Sequence, residues 1–225
     1  MEALTEKPPV IRTDNEEGLR NGLDRARQII LKGGIVAFPT ESFYGLAVDA
    51  SDEDAIRRLF KIKIRRDNSP ILVLIPSLEY LEEYVEDVPE VALRLVERFW
   101  PGGLTLLFKA GSDVSPLLTA GTGKIGVRIS SHPVAAALTR AVGSSITGTS
   151  ANISGQKGCV TAKEVCESLG IGVDLILDAG RTAGGKGSTI LDVTINPPEI
   201  IREGMISREQ IQEAEIEYRI SNSEF

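Results

Sequence analysis

The sequence predicts one α/β domain built around a mixed β-sheet. Strand-like and helix-like stretches interleave along the whole chain, the pattern of an α/β architecture. Two regions, 104–129 and 188–202, instead place strands one after another, which argues against a strict Rossmann fold or a barrel. No internal repeat, low-complexity linker or break in composition divides the 225 residues. One domain is therefore expected over 15–214, with tails at 1–14 and 215–225.

After the first tail, Leu19, Leu23, Ala26 and Ile30 recur on one helical face, and the helix ends at Gly33-Gly34. IVAF (35–38) is a short strand stopped by Pro39. SDEDAIRRLF (51–60) is a second helix, with Ser51 as N-cap and acidic residues in its first turn. ILVLI (71–75) is a continuous apolar run, as in a central buried strand. Helical stretches occupy 78–84 and 89–99, the second opened by Pro89. LTLLFK (104–109) and IGVRI (125–129) are strands separated by a loop rich in Gly, Ser and Thr. PVAAALTRAV (133–142) is helical, and a short strand lies near 145–148. Thr161 and Glu164 make a capping-box pair for a helix that stops at Gly170. DLILD (174–178), STILDVTI (188–195) and EIIR (199–202) are strands, and Ser207 with Gln210 opens the last helix.

Composition narrows the function classes. Cys159, Cys166 and the single histidine, His132, are too few for a structural zinc site, and two lone thiols suit a reducing compartment. The polar N-terminus has no apolar core of a secretory signal, and no stretch approaches a bilayer span. A soluble, cytoplasmic protein without a membrane partner is expected. The net charge of −7 and pI near 5.0 argue against a dedicated nucleic-acid binder. A local basic pocket is still available, because KIKIRR (61–66) places four cations in six residues.

The segment GRTAGGKG (180–187) nearly matches a phosphate-binding P-loop, but Gly187 stands where a hydroxyl residue is needed. The adjoining residues, STILDVTI, alternate like a strand, whereas a P-loop must open a helix. A flexible glycine loop presenting Ser188 and Thr189 is the better reading. His132 precedes a helix and suits a role in helix entry, and no G-x-S-x-G elbow supports a serine hydrolase. There remains a set of polar segments at the ends of apolar strands: FPTESFYGL, KIRRDNSPI, GVRIS, TSANISG, GKGST and IIREG. Arg128 lies inside an otherwise apolar strand, where a guanidinium is costly unless an anion pairs with it. Hydroxyl and amide side chains at strand ends commonly line ligand pockets in open α/β sheets.

Together these segments resemble the YrdC-like family of threonylcarbamoyl-adenylate synthases. FPTESFYGL is similar to the family's P-T-[DE]-T-x-Y-G-L, and Lys63-Ile64-Arg65 with Pro70-Ile71 is similar to K-x-R-x-x-x-x-P-L. RFWPGGLTLLF (98–108), IGVRIS, TSANISG, GSTILD and IIREGMIS recur in the family's order. The resemblance runs from about residue 16 to 212 and implies a twisted mixed sheet with flanking helices and a positively lined concave face. It also implies joining of L-threonine, bicarbonate or CO2, and ATP into threonylcarbamoyl-AMP, with release of pyrophosphate. Mg2+ would come with the ATP phosphates, with no metal ligand from the protein alone. The product would pass to a tRNA threonylcarbamoyl transferase, for N6-threonylcarbamoyladenosine modification of tRNA; a weak contact with tRNA is left open.

By matching positions, Lys63 and Arg65 are implied as the catalytic cations. ATP contacts are implied for Lys63, Arg65, Ser69, Ser150, Asn152, Thr161 and Arg202, and threonine contacts for Ser42, Arg128 and Ser188. The chain departs from the family pattern at Arg66 and Thr149, each usually proline, at Leu74, often histidine, and at Lys124, usually a small hydroxyl residue. The loop 155–161 varies in length within the family. The resemblance is to the short form, without an added C-terminal domain. Two rival readings are a nucleotide- or RNA-binding paralogue and a relative that adenylates carbamate itself; Ser42 and Arg128 favour the threonine enzyme over a pure RNA binder.

Overall fold

Runs of buried aliphatic residues build two mixed sheets in the computed structural model, which describes residues 7–65 and 69–221. The first sheet is ordered β1 (Val10–Arg12), β9 (Leu175–Asp178), β2 (Val36–Pro39), β3 (Tyr44–Ala47), β8 (Thr149–Ser150). The second is ordered β11 (Glu199–Arg202), β10 (Thr189–Asp192), β5 (Leu104–Lys109), β6 (Lys124–Arg128), β4 (Val73–Leu74), β7 (Ile146–Thr147). Both mix parallel and antiparallel neighbours, as the α/β reading with a mixed sheet requires. The strands are divided because the chain changes sheet at Gly148, between β7 and β8. A Cβ on Gly148 would fall 2.5 Å from Leu72 Cδ1, so glycine lets the backbone pass close over Leu72 and Leu74 without moving them. The sheets join where the Thr147 amide donates to the Val48 carbonyl at 3.0 Å.

Alternation within the first sheet assigns its two faces. Val36, Phe38, Leu175 and Leu177 pack on Ala26 and Ile30 of α1 (Glu16–Ile30) and on Leu138 and Val142 of α5 (Pro133–Val142). Ala37 and Ile176 face the opposite way, into the core that holds Leu59 and Phe60 of α2 (Glu53–Lys63) and Val165 of α6 (Ala162–Leu169). Leu106, Phe108, Ile125 and Val127 extend that core from the second sheet toward Leu95 of α3 (Glu90–Phe99). Each such side chain, fully buried, contributes roughly 1.5–3 kcal/mol. With one face of the second sheet consumed in this way, its other face is left to floor a cleft.

Several expectations change at short elements. Val10–Arg12, read as tail, pairs in parallel with β9. The end of FPTESFYGL, read as a polar segment, belongs to the fully buried β3, antiparallel to β2; burial on both faces erases the alternation that marks a strand. The helix expected from Ser51 is capped instead by Asp52, whose carboxylate accepts from the Ala55 amide at 2.9 Å, and Ser51 bonds to Asp49. The 78–84 stretch is a 3-10 helix, Leu78–Glu83, and the Gly/Ser/Thr-rich loop contains a single turn, α4 (Pro116–Thr119). Helix α7 (Arg208–Ser221) runs through much of the expected C-terminal tail. It opens on the reciprocal pair Ser207 and Gln210.

Candidate functional site

The exposed face of the second sheet has a period of two. Ile190 pairs with Thr105, Leu107 with Gly126, and Arg128 with Leu74, so all six lie on one side, where five present side chains and Gly126 leaves the backbone bare. They floor a cleft of about 440 Å³, within the usual range of small-molecule sites. Its walls come from the 40–45 turn, the 148–150 crossover, Arg65, the glycine loop at 186–188 and Arg202. A shallower depression lined by Lys63, Ile64, Arg65, Ser69, Ser150, Asn152, Ser154 and Gly155 adjoins it, sharing Arg65 and Ser150.

Helix α2 aims the basic turn. The Arg65 amide donates to Phe60 O and the Ile64 amide to Lys61 O, a Schellman arrangement with Ile64 in the left-handed conformation at φ 50°. Its reversal sets Arg65 against the cleft, where Nη1 donates to Thr149 Oγ1 at 3.0 Å and Nη2 to Pro70 O at 2.6 Å. Nε of Arg65 is buried without a partner among the described residues. Lys63, 1% exposed, turns inward: its ammonium donates to the carbonyls of Ser150 and, at 2.7 Å, of Asn152. Burial, and then the charge of Arg65, depress its pKa to about 7.

Arg128 is buried at the opposite end of the floor, and Nη2 lies 3.2 Å from Glu41 Oε2. Glu41 is held by Ser130 Oγ at 2.9 Å, the Ser131 amide at 2.6 Å and Ser131 Oγ at 3.1 Å. Burial alone would raise the Glu41 pKa, but Arg128 and these donors outweigh it and keep the group a carboxylate. Ser188 Oγ accepts from Thr105 Oγ1 at 2.9 Å, and Arg202 Nη2 donates to Ser188 O at 2.8 Å. The glycine loop is pinned over this end by Thr182 Oγ1 and the Gly184 amide, both donating to Ser42 O. The loop leads into strand β10, so the near-P-loop opens no helix.

The arrangement offers fixed guanidinium groups and hydroxyls around an apolar floor, chemistry suited to an anionic, partly flat ligand. Against this geometry the comparisons with known proteins are specific. The Sua5/YciO/YrdC family, described as telomere recombination, matches residues 28–204. The chain belongs to this family. It is 38% identical over 195 residues to the threonylcarbamoyl-AMP synthase of Pyrococcus abyssi, covering 87% of this chain and 57% of that one. The synthase of Vibrio cholerae is 33% identical over 189 residues, covering 83% of this chain and 99% of that protein. A structure of Pyrococcus abyssi Sua5 complexed with L-threonine superposes with a TM-score of 0.87 at 35% identity, over 93% of this chain and 61% of that chain. The chain thus spans little more than half the length of the first of these curated relatives.

In this Sua5/YciO/YrdC chain, Ser42, Arg65, Arg128, Ser150, Ser188 and Arg202 line the main cleft, and Lys63, Ser69 and Asn152 the adjoining depression. Thr161 lines neither; its hydroxyl caps α6 by accepting from the Glu164 amide at 3.2 Å. Leu74 is fully buried in the floor, and Thr149 accepts from Arg65. Lys124 points away to Asp192 Oδ2 at 2.6 Å and does not line the cleft. Arg66 lies outside the described residues. His132 caps α5 by accepting from the Val134 amide at 3.3 Å, and both cysteines are free thiols. Sequence reasoning missed Glu41, Thr105, Lys186 and Glu203. Thr105 carried a signal, as a single hydroxyl on the Leu107 side of an otherwise apolar strand.

Proposed function

We propose that this chain is an L-threonylcarbamoyladenylate synthase. It would form threonylcarbamoyl-AMP and pyrophosphate from L-threonine, bicarbonate or CO2, and MgATP. The observation that carries the reading is the pairing, in one cleft, of a buried guanidinium among hydroxyls at one end, where Arg202 also bonds Ser188, with Arg65 at the other. Among the described residues, Arg65 and Arg202 bond only to neutral oxygens. The first end suits an amino-acid carboxylate, held by Arg128, with Ser42 and Ser188 for its polar groups. The second suits phosphates, with Ser69, Ser150 and Asn152 completing the wall. The names of the relatives support the same substrates.

The chemistry balances without an acid–base pair of side chains. Threonine's amine adds to CO2 and loses a proton to give a carbamate; from bicarbonate, a water leaves as well. A carbamate oxygen attacks the α-phosphorus and pyrophosphate departs. The protein's part is alignment and stabilisation of charge on the phosphates by Arg65 and Arg202. Mg2+ would come with ATP and offset part of the charge on its phosphates. Lys63 differs from the simplest expectation: it shapes the 150–152 wall through main-chain carbonyls and lends its charge from behind. The product would serve a tRNA threonylcarbamoyl transferase in the cytoplasm; among the described residues, no helix is long and apolar enough to cross a membrane.

The test is to incubate the protein with MgATP, bicarbonate and L-threonine and monitor pyrophosphate. Release that depends on threonine is expected. Release that ignores threonine, or none at all, refutes the reading.

A further inference from the structure

Among the described residues, the cleft is lined by four cations, Arg65, Arg128, Lys186 and Arg202, but by a single acid, Glu203. Glu203 faces Lys186, with Oε1 3.6 Å from Nζ. Left so, Arg128 would join Arg65 and Arg202 in one continuous cationic trough. Its proton affinity is lowered by burial, countered by Glu41 and lowered again by the charge of Arg202, which bonds Ser188 at the same end. A polyphosphate entering such a trough would have two registers open to it, one of them over the amino-acid end.

Glu41 interrupts the trough from outside. The cleft is lined by its neighbours Thr40 and Ser42 but not by Glu41 itself, whose side chain is 9% exposed and stands against Arg128. Ser130 and Ser131 fix Oε1, leaving Oε2 beside Arg128. Arg128 Nε and Glu41 Oε2 are both buried without a hydrogen-bond partner among the described residues. The pair is thus incompletely satisfied in itself, which leaves Arg128 a donor to spend on a ligand.

We propose that Glu41 is a specificity-determining residue: by neutralising Arg128 from behind, it excludes polyphosphate from that end of the cleft and reserves it for a zwitterion. A zwitterion brings a carboxylate for Arg128 and an amine that the negative charge behind favours, so it loses little from the pairing. A phosphate brings only negative charge and is repelled. This rests on the amino-acid adenylation reading given above.

Titration calorimetry with inorganic pyrophosphate and L-threonine tests it on the whole chain. In the wild type, saturating pyrophosphate should leave the L-threonine affinity unchanged within about twofold, because the two ligands occupy different ends. In Glu41→Gln, pyrophosphate should reach Arg128 and weaken apparent L-threonine binding at least tenfold. Glu41→Asp, which keeps the charge, should behave as the wild type. Independent binding in Glu41→Gln overturns the proposal, and so does a wild type in which pyrophosphate already displaces threonine. Should Glu41→Gln fail to fold, the wild-type and Glu41→Asp titrations still decide, since competition in either contradicts it. Loss of threonine-dependent pyrophosphate release in the wild type would remove the adenylation reading itself; release with an unaltered Glu41→Gln removes this inference alone.

Discussion

The ammonium of Lys63 donates to the main-chain carbonyl of Asn152 at 2.7 Å, across 89 residues of sequence. With the carbonyl of Ser150 as a second acceptor, one buried side chain ties the end of helix α2 to the wall that separates the two halves of the site. Lys63→Met keeps the length and removes the donors. Each stranded carbonyl costs about 1–3 kcal/mol, and at pH 7 that cost is set against relief from burying the ammonium. The pH dependence supplies the test. The folded pKa, about 7, lies below the ordinary 10.5, so between those values the unfolded chain holds a proton the folded chain has released. The cost of burying the charge is fully present below pH 7, and wild-type stability gains up to about 1.4 kcal/mol per pH unit from this group as pH rises toward 10.5. Lys63→Met should lack that gain. Equal pH slopes in the two proteins would count against the burial of Lys63.

Ile64 carries the strain of this turn. A β-branched residue at φ 50° is unfavourable by roughly 1–2 kcal/mol, and at 73% exposure its side chain recovers little by packing. Glycine adopts the conformation freely but loses roughly 0.5–1 kcal/mol more on ordering. Ile64→Gly should therefore raise the melting temperature by about 2 °C. Turnover should stay near the wild-type rate, since the Schellman hydrogen bonds that aim Arg65 are made by the main chain. A lower melting temperature would show that Ile64 packs on something the ligand-free chain does not reveal.

Much of the site was readable because its signals are local exceptions. Arg128 is a lone cation in an apolar strand, and Ser188 comes after a glycine loop that leads into a strand. The parts that stayed hidden depend on partners without a local signature. Lys63 meets main-chain carbonyls, which no side-chain identity announces. Glu41 meets Arg128 only because the 40–45 turn of one sheet reaches the end of a strand in the other. Three strands were lost for physical reasons: β1 and β8 are only three and two residues long, and β3 is buried on both faces around a glycine. The chain changes sheet at Gly148, packed close over Leu72 and Leu74, contacts that no local pattern in the sequence announces.

Arg128 can be tested without leaving Glu41 as an unpaired buried charge. Deletion to alanine would confound binding with a stability loss of about 3–5 kcal/mol. Arg128→Lys keeps the charge and gives up the planar fork that grips a carboxylate by two hydrogen bonds. The KM for L-threonine should rise about tenfold or more, while the KM for ATP stays within about twofold. Steady-state pyrophosphate release, with each substrate varied in turn, measures both. Equal shifts in the two constants would remove Arg128 from the amino-acid end.

Thr161 separates what family resemblance implies from what the geometry offers. Resemblance puts it on ATP, yet its hydroxyl accepts from the Glu164 amide as the N-cap of α6, while Glu164 Oε2 accepts from the Val160 amide at 2.7 Å. It lines neither half of the cleft. Thr161→Ala removes one cap and should cost about 1 kcal/mol, seen as a lower urea midpoint, with the KM for ATP unchanged. Thr161→Ser, which retains the oxygen, should restore the midpoint. If α6 moved inward on ATP binding, the alanine variant would instead raise the KM for ATP severalfold at nearly constant stability, and the capping role would be secondary. The two readings move different observables, so one pair of variants decides between them.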